Sequence, residues 1–252
     1  MFPLSITEIA AHHGAHHADA TLDSLLRFGM YPGIYGRGEA DMSRDLETLQ
    51  SAVLYKDILA LDGVHKPKLL TDLIKALALQ VGSEVSNSSL SNLLDTSSQT
   101  IARYVDILEK MFIIKRLYSL SRNPRKEIRK GYKVYFLDLG IRNSVLQNHT
   151  PLDVRADKGA LFENFFIIER LKLLKNHSIG ANTYFWRTVD QKEIDYIEER
   201  GGALYPYECA FTEKSVARIN ASFQALYPTA HAVRVVTRDT YFSELSVEGT
   251  SK

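Results

Sequence analysis

The stretch from Gly159 to Phe211 constrains the fold of this chain more than any other part of the sequence. It holds four short pieces, GALFENFF (159–166), YFWR (184–187), EIDYI (193–197) and YECA (207–210). The first piece has an apolar pattern typical of a helix, and the other three have the branched and aromatic residues typical of strands. This order predicts Glu163 on a helix, with Asp195 and Glu208 on two neighbouring strands.

Three acids on one helix and two strands form the layout of a metal-dependent nuclease core, so Glu163, Asp195 and Glu208 are the candidate catalytic residues. In such a core Asp195 and Glu208 would hold Mg²⁺ through hard carboxylate oxygens, and the metal would activate the attacking water. The competing interpretation makes Asp195 and Glu208 partly solvated strand acids. Mg²⁺ is therefore a candidate cofactor rather than a certain one.

The position two residues after Glu208, where such a core carries lysine, is Ala210. That lysine would orient water and neutralise charge on the phosphate, and loss of one such group typically lowers the rate about 10²–10³-fold. Lys192 and Lys214 are the candidates for a lysine that reaches the site from elsewhere. The sequence thus predicts a degenerate nuclease-like site, with a relocated lysine as the alternative.

Glu163 lies on an apolar helix, among Leu161, Phe162, Phe165 and Phe166. An acid in such surroundings needs a partner or stays neutral, because an isolated buried carboxylate is costly. Two roles are open: a third acid at the metal site, or a structural salt bridge to Arg187. The bidentate geometry of arginine favours the salt bridge.

Composition indicates an ordinary globular protein of 252 residues, 45% hydrophobic and 24% charged, with a net charge of +1. This length favours two domains. No apolar run approaches the roughly 18–20 residues that span a bilayer, and the first residues lack a signal-peptide pattern. We therefore expect a cytoplasmic protein that does not associate with a membrane. The lone Cys209 excludes an internal disulfide framework and a cysteine-based zinc site.

A basic patch lies between Lys115 and Lys133, where Glu127 is the one acid. Its eight basic residues are Lys115, Arg116, Arg122, Arg125, Lys126, Arg129, Lys130 and Lys133. The first seven are the candidate nucleic-acid-binding residues, which would contact DNA through backbone phosphates. The near-neutral charge of the whole chain adds no reason to expect nucleic acid.

The pattern between residues 66 and 145 predicts a winged helix-turn-helix. Its helices are expected at 68–81, 88–94 and 99–111, and its two-stranded ribbon at 112–118 and 133–138. In the third helix the apolar spacing assigns to the core Ile101, Tyr104, Val105 and Leu108. The outward residues are then Gln99, Arg103, Asp106, Glu109 and Lys110. Two acids on that face repel phosphate, so a protein contact or an architectural role is favoured over base readout.

Taken in order, these pieces resemble the C-terminal region called DUF4143 of prokaryotic AAA-type (AAA+) ATP-binding proteins. The matching segments cover nearly the whole chain and include RFGMYPGI (27–34), SSLSNLLDTSSQTIARYVDILEKMFIIKRL (88–117), KVYFLDLGIRN (133–143) and the four pieces above. The resemblance implies an α+β fold, with a helical connector at 1–65, the winged helix-turn-helix at 66–145 and a restriction-endonuclease-like (PD-(D/E)xK) α/β core at 155–245. DUF4143 itself would cover roughly 30–245.

Members of that family normally have an ATPase domain in front. The present sequence contains no glycine followed by lysine, so it holds no GxxxxGK[ST] phosphate loop. We therefore expect that this chain alone does not hydrolyse ATP, and that ATP binds only if an upstream ATPase domain is present. A C-terminal fragment, a split-gene product or a truncated chain would each fit this pattern.

The leading hypothesis is a non-catalytic C-terminal module of an AAA-type ATPase. It would bind a protein or nucleic-acid target through the winged helix and a degenerate nuclease-like fold. The alternatives are a metal-dependent nuclease with a relocated lysine and a DNA-binding protein that uses the basic patch. The candidate partners are DNA and an AAA-type ATPase domain.

Overall fold

The computed structural model describes residues 2–52, 66–121, 131–188, 190, 192–211 and 217–245, which fold as a mixed α+β protein. The α-helices are α1 (Ile6–His13), α2 (Ala15–Ala20), α3 (Leu22–Phe28), α4 (Glu39–Gln50), α5 (Pro67–Leu79), α6 (Asn87–Leu93), α7 (Ser98–Lys110), α8 (Leu139–Val145), α9 (Lys158–Asn176) and α10 (Ala217–Leu226). The strands are β1 (Glu84–Val85), β2 (Ile114–Ser119), β3 (Tyr132–Phe136), β4 (Asn182–Arg187), β5 (Glu193–Arg200), β6 (Ala203–Cys209) and β7 (Arg234–Val236). They form a mixed sheet in the order β1-β3-β2-β4-β5-β6-β7.

The chain divides into two compact units. Unit 1 contains Met1–Arg116 and Val134–Ala156, and unit 2 contains Leu117–Lys133 and Asp157–Lys252. Unit 1 therefore holds α1 to α8, and unit 2 holds α9, α10 and β4 to β7. Across the ranges that the structure describes, no helix is both long enough and apolar enough to cross a membrane.

The helices α5, α6 and α7 and the strands β2 and β3 lie within two residues of the bounds predicted from the sequence pattern, which did not include the short strand β1. In α7 the four apolar residues predicted to face the core are all buried, namely Ile101, Tyr104, Val105 and Leu108. The periodicity of three and four residues is enough to predict this face, because it depends only on helix geometry.

Polar side chains of α8 bind the ends of two other helices in unit 1. The amide of Asn143 donates hydrogen bonds to the carbonyl oxygens of Leu26 and Arg27 at 3.0 and 2.9 Å. The guanidinium of Arg142 donates from Nε to the carbonyl oxygen of Ala78 at 2.9 Å. These carbonyls lie in the last turns of α3 and α5, where helical carbonyls lack a partner within the helix. The polar residues of α8 thereby cap two helices.

Gly140 allows α8 to approach α3 closely. A Cβ atom on Gly140 would lie 2.2 Å from the carbonyl oxygen of Phe28 and 2.9 Å from Oδ1 of Asp138. Asp138 is itself held in place, because it accepts hydrogen bonds from the backbone N–H groups of Ile141 at 3.1 Å and Met30 at 2.7 Å. No side chain larger than hydrogen fits at this position.

Unit 2 contains an antiparallel meander of β4, β5 and β6, and β7 pairs in parallel with β6. A parallel pair needs a crossover connection, which α10 supplies between β6 and β7. With α9 before β4, the order of the elements is helix, three strands, helix and strand. Helix α9 is buried on most of its surface, with Phe162, Phe165 and Phe166 in the core.

A buried ion pair joins α9 to β5 inside unit 2. Arg170 donates from Nε and Nη2 to the two carboxylate oxygens of Glu198 at 2.8 and 2.7 Å. The guanidinium also lies 5.1 Å from the centre of the Tyr207 ring, and burial raises the pKa of Tyr207 to about 12. The bidentate geometry satisfies both charges, which makes their burial tolerable.

We expect Gly140→Ala to lower the free energy of unfolding by about 2–4 kcal/mol, because the new methyl group overpacks against a backbone carbonyl. Urea denaturation followed by circular dichroism measures the change. Gly159→Ala is the matched control, because Gly159 is also helical and an added Cβ meets nothing within 4 Å. There the higher helix propensity of alanine predicts no loss of stability. Equal losses in the two variants would contradict the close approach at Gly140.

Candidate functional site

The three candidate catalytic acids line one open cleft in unit 2. Glu163 comes from α9, Asp195 from β5 and Glu208 from β6. Because Tyr196 pairs with Tyr207 across β5 and β6, the next residues along the two strands, Asp195 and Glu208, are brought together. The cleft has a volume of about 400 Å³, and its other lining residues are Gly159, Glu193, Cys209 and Ile219.

A lysine lies among these acids, and it comes from β3. The Nζ atom of Lys133 is 2.6 Å from Oε1 of Glu193, 3.2 Å from Oε1 of Glu163 and 3.4 Å from Oδ1 of Asp195. The Lys133 side chain is only 3% exposed, whereas the three carboxylates are 12–27% exposed. One ammonium group thus connects α9, β3 and β5.

The carboxylates keep Lys133 charged. Burial by itself would lower the pKa of Lys133, but the negative charges of Glu163, Asp195 and Glu193 outweigh burial and hold that pKa well above its ordinary value of 10.5. The cleft therefore contains a permanent internal cation at neutral pH.

Cys209 also borders the cleft, and its environment keeps the thiol protonated. Burial raises the pKa of the Cys209 thiol well above its ordinary value, and the charges of Asp195, Glu163 and Glu208 raise it further. The backbone N–H of Cys209 donates to Oδ2 of Asp195 at 2.9 Å. A thiol of this kind is a poor nucleophile and a poor metal ligand, because both roles require the thiolate.

The acids have the right chemistry for Mg²⁺, but their arrangement does not fit the metal. Carboxylate oxygens are the ligands that Mg²⁺ prefers. In the part of the chain that the structure describes, no group of three or more His, Cys, Asp or Glu side chains is placed to hold a metal ion. Three of the carboxylate oxygens in the cleft instead contact the ammonium of Lys133. The position that a cation would take among them is occupied by a side chain of the protein.

Of the two lysines predicted as replacements, Lys214 lies outside the described residues. Lys192 donates from Nζ to the hydroxyl of Ser222 at 2.6 Å. The backbone N–H of Ala210, which follows β6, donates to the carbonyl oxygen of Val236 at 2.9 Å. Among the described residues, the lysine that contacts the acids of the cleft is Lys133, which the sequence pattern had grouped with the basic patch.

A signal for Lys133 was present in the sequence. It is the one charged residue in Tyr132–Phe136, a strand buried at every position. A lysine inside such a strand needs a carboxylate partner, because Lys is almost never fully buried unless it is paired. The grouping of Lys133 with an exposed phosphate-facing patch was wrong for this reason.

Glu163 has a cation as a partner, as one of its two predicted roles requires. That partner is the ammonium of Lys133 at 3.2 Å. Arg187, the partner predicted from the sequence, lies with Nε 3.8 Å from Oε2 of Glu193. Glu163 also borders the cleft. It therefore forms a salt bridge and lies beside the other candidate catalytic acids at the same time.

Two of the seven candidate nucleic-acid-binding residues are described, and both form ion pairs with α7. Arg116 contacts Oδ1 of Asp106 at 2.7 Å and Oε2 of Glu109 at 2.6 Å, and its side chain is 17% exposed. Lys115 contacts Oε1 of Glu109 at 3.2 Å. The other five candidates, which lie outside the described residues, are Arg122, Arg125, Lys126, Arg129 and Lys130.

The pKa of Glu109 reflects these contacts. Burial would raise it, but the hydrogen bonds from Arg116 and the charges of Arg116 and Lys115 lower it below its ordinary value of 4.5. A carboxyl group whose pKa is lowered by folding stabilises the fold above its ordinary pKa. That stabilisation disappears as the pH falls through the lowered value.

Glu109→Gln should therefore lower the free energy of unfolding by about 1–2 kcal/mol at pH 7, because a charge-assisted contact to Arg116 is lost. The difference from the unsubstituted protein should shrink as the pH falls through the lowered pKa of Glu109, because the carboxyl group then becomes protonated in the folded state as well. Urea denaturation across this pH range measures it. Glu47→Gln, an exposed carboxylate on α4, is the control and should change stability by less than about 0.5 kcal/mol. A loss that stays constant with pH would contradict the role of the Glu109 charge.

Comparison with known proteins gives two family matches. Residues 19–152 match a domain of unknown function, DUF8612, and residues 158–247 match another, DUF4143. DUF4143 is a C-terminal region of AAA-type proteins. The resemblance extends DUF4143 over roughly 30–245, whereas the matched part begins at residue 158.

Several curated relatives are uncharacterized proteins. One from Haemophilus influenzae is 25% identical over 84% of this chain and 52% of its own length. Relatives from Methanocaldococcus jannaschii and Mycobacterium tuberculosis are each 27% identical, over 89% and 73% of this chain and 46% and 41% of their own lengths. The chain thus spans about half the length of the curated relatives that it matches. No solved structure matches it.

The DUF8612 match covers more than half of the 252 residues, and the chain therefore belongs to the DUF8612 family, with a DUF4143 domain following at residues 158–247.

Proposed function

We propose that this chain is a non-catalytic module of an AAA-type ATPase and that its winged helix binds a protein target. The DUF4143 match supports the placement, because that domain is a C-terminal region of AAA-type proteins. The curated relatives are about twice as long as the part that they share with this chain, which leaves room in them for a further domain.

The observation that carries the proposal is the arrangement of α5, β1, α6, α7, β2 and β3. The elements follow one another in this order, and the three strands are neighbours as β1-β3-β2. This is the arrangement typical of a winged helix-turn-helix, in which the third helix presents its outer face to a partner. Gln99, Arg103 and Lys110 are the exposed residues of that face of α7.

The charges near α7 favour a protein over DNA. Asp106 and Glu109 already bind the guanidinium of Arg116 and the ammonium of Lys115. A DNA phosphate would have to compete with these carboxylates for the same two cations, and the acids would repel it. Charges that are already paired in this way are better suited to a contact with a protein surface than to a contact with phosphate.

The DNA-binding alternative depends on the rest of the basic patch. Arg122, Arg125, Lys126, Arg129 and Lys130 lie outside the described residues, so they retain their predicted role. Binding through this patch would be sequence-independent and would weaken steeply with salt, because it would neutralise backbone phosphates.

The non-catalytic part of the proposal concerns unit 2. The order α9, β4, β5, β6, α10 and β7, with acids on α9, β5 and β6, supports the likeness to the restriction-endonuclease-like core. Ala210 supports its degeneracy, since nothing in a methyl group can orient water or neutralise phosphate charge. The ammonium of Lys133 supports it further, because it contacts Oδ1 of Asp195, one of the two acids that would hold the metal.

One observation favours the competing function, a nuclease with a relocated lysine. The Nζ atom of Lys133 lies 3.4 Å from Oδ1 of Asp195, so a lysine does stand in the cleft although Ala210 does not supply it. In that case Lys133 would take the role of the missing lysine.

The purified chain, incubated with Mg²⁺ or Mn²⁺ and plasmid or single-stranded DNA, should show no cleavage above the level of Asp195→Asn. Asparagine is preferred to alanine here because it keeps an oxygen for the backbone N–H of Cys209, which Asp195 accepts at 2.9 Å. Gel electrophoresis measures the cleavage. The nuclease alternative would replace our proposal if cutting occurred and were lost in Asp195→Asn and Lys133→Met but retained in Lys192→Met.

A photo-crosslinking residue placed at Arg103 on α7 should capture a partner in cells, and the adduct should be sensitive to protease but resistant to nuclease. The same residue at His177, which is exposed in unit 2, is the control and should give no such adduct. Gel mobility after each digestion distinguishes the cases. A nuclease-sensitive adduct at position 103 would favour nucleic acid as the target, and identical adducts at both positions would exclude α7 as the specific contact.

A further inference from the structure

We infer that the acid cleft of this protein takes no divalent cation, and that Lys133 is its built-in cation. The fold likeness implies Mg²⁺ at Asp195 and Glu208, and the residues present disagree with that implication. This inference rests on the proposed function, because it concerns the same cleft. It states what the acids do in a protein that does not cleave DNA.

The distances in the cleft suit an ammonium group. Oxygens of Glu163, Glu193 and Asp195 lie 2.6–3.4 Å from a single nitrogen. Ion pairs between a nitrogen and an oxygen extend to about 4 Å, whereas Mg²⁺ holds its oxygens at about 2.0–2.1 Å in a near-octahedral shell. For a metal to bind these oxygens, the three carboxylates would have to close around it and the nitrogen would have to leave.

The buried surroundings of Lys133 oppose displacement of its ammonium group from the cleft. Lys133 is the second residue of β3, and its neighbours Tyr132 and Val134 are both buried. Its Nζ atom also lies 5.6 Å from the centre of the Phe185 ring. Displacement by a metal would leave a buried positive charge without its carboxylate partners, which is strongly unfavourable.

Each carboxylate oxygen of Asp195 already contacts a hydrogen-bond donor. Its Oδ1 atom contacts Lys133 at 3.4 Å, and its Oδ2 atom accepts the backbone N–H of Cys209 at 2.9 Å. A divalent cation at Asp195 would therefore share these oxygens with a backbone N–H and an ammonium group, and the ammonium would repel it.

Metal titration of the full chain tests the inference directly. Calorimetry and thermal denaturation with Mg²⁺ and with Mn²⁺ at millimolar concentrations should show no saturable heat and no rise in the melting temperature. One-to-one binding that disappears in Asp195→Asn would overturn the inference. The outcome is separate from that of the cleavage assay, because metal binding without cleavage would overturn only this inference, and metal-independent cleavage would overturn only the proposed function.

A double-mutant cycle tests the role of Lys133 itself. Lys133→Met should lower the melting temperature, because the carboxylates lose their shared cation. The change in melting temperature caused by adding Glu193→Gln should then be more favourable in the Lys133→Met background than in the unsubstituted chain. The reason is that the substitution removes one of the mutually repelling charges. Lys192→Met, whose ammonium binds Ser222 instead, is the matched control background and should show no such coupling. Equal effects of Glu193→Gln in all three backgrounds would overturn the inference, and the metal titration decides it if Lys133→Met does not fold.

Discussion

The ion-pair cluster around Lys133 is the interaction on which the cleft of unit 2 depends. Burial alone would drive the ammonium towards its neutral form, but three carboxylates from α9 and β5 keep it charged. In return, the single nitrogen offsets the repulsion between acids that face one another. An arrangement that resembles a metal site in its residue types is thereby held together by the protein's own side chains.

The same requirement for partners explains three other buried polar residues. Glu198 on β5 is fully buried and has the guanidinium of Arg170 as its bidentate partner. In unit 1, Arg142 and Asn143 of α8 bind carbonyls at the ends of α5 and α3. These three residues are tolerated in the interior because they have hydrogen-bonding partners there. A charged residue within an apolar element therefore indicates a partner before it indicates catalysis.

Pairing also changes the meaning of charge on the surface. Lys115 and Arg116 begin a run of basic residues in the sequence, yet the carboxylates of Asp106 and Glu109 neutralise both of them. A count of charges along the chain overestimates the field that a partner meets, because ion pairs across two elements cancel at short range. This cancellation is the reason for which we propose a protein rather than DNA as the target of α7.

The sequence by itself determined α5, α6, α7, β2, β3, α9 and β4 to β6 to within a few residues, because hydrophobic periodicity is a local property. It also determined the buried face of α7, but it predicted neither β1 nor α8. It also placed Glu163, Asp195 and Glu208 together, since a meander of adjacent strands leaves few alternatives. Only the tertiary structure decided which lysine joins them. Lys133 is 62 residues from Asp195 along the chain, and no local pattern relates two residues at that separation. The packing of β3, α9 and β5 decides which charges meet, and with it whether the acids face a metal or an ammonium.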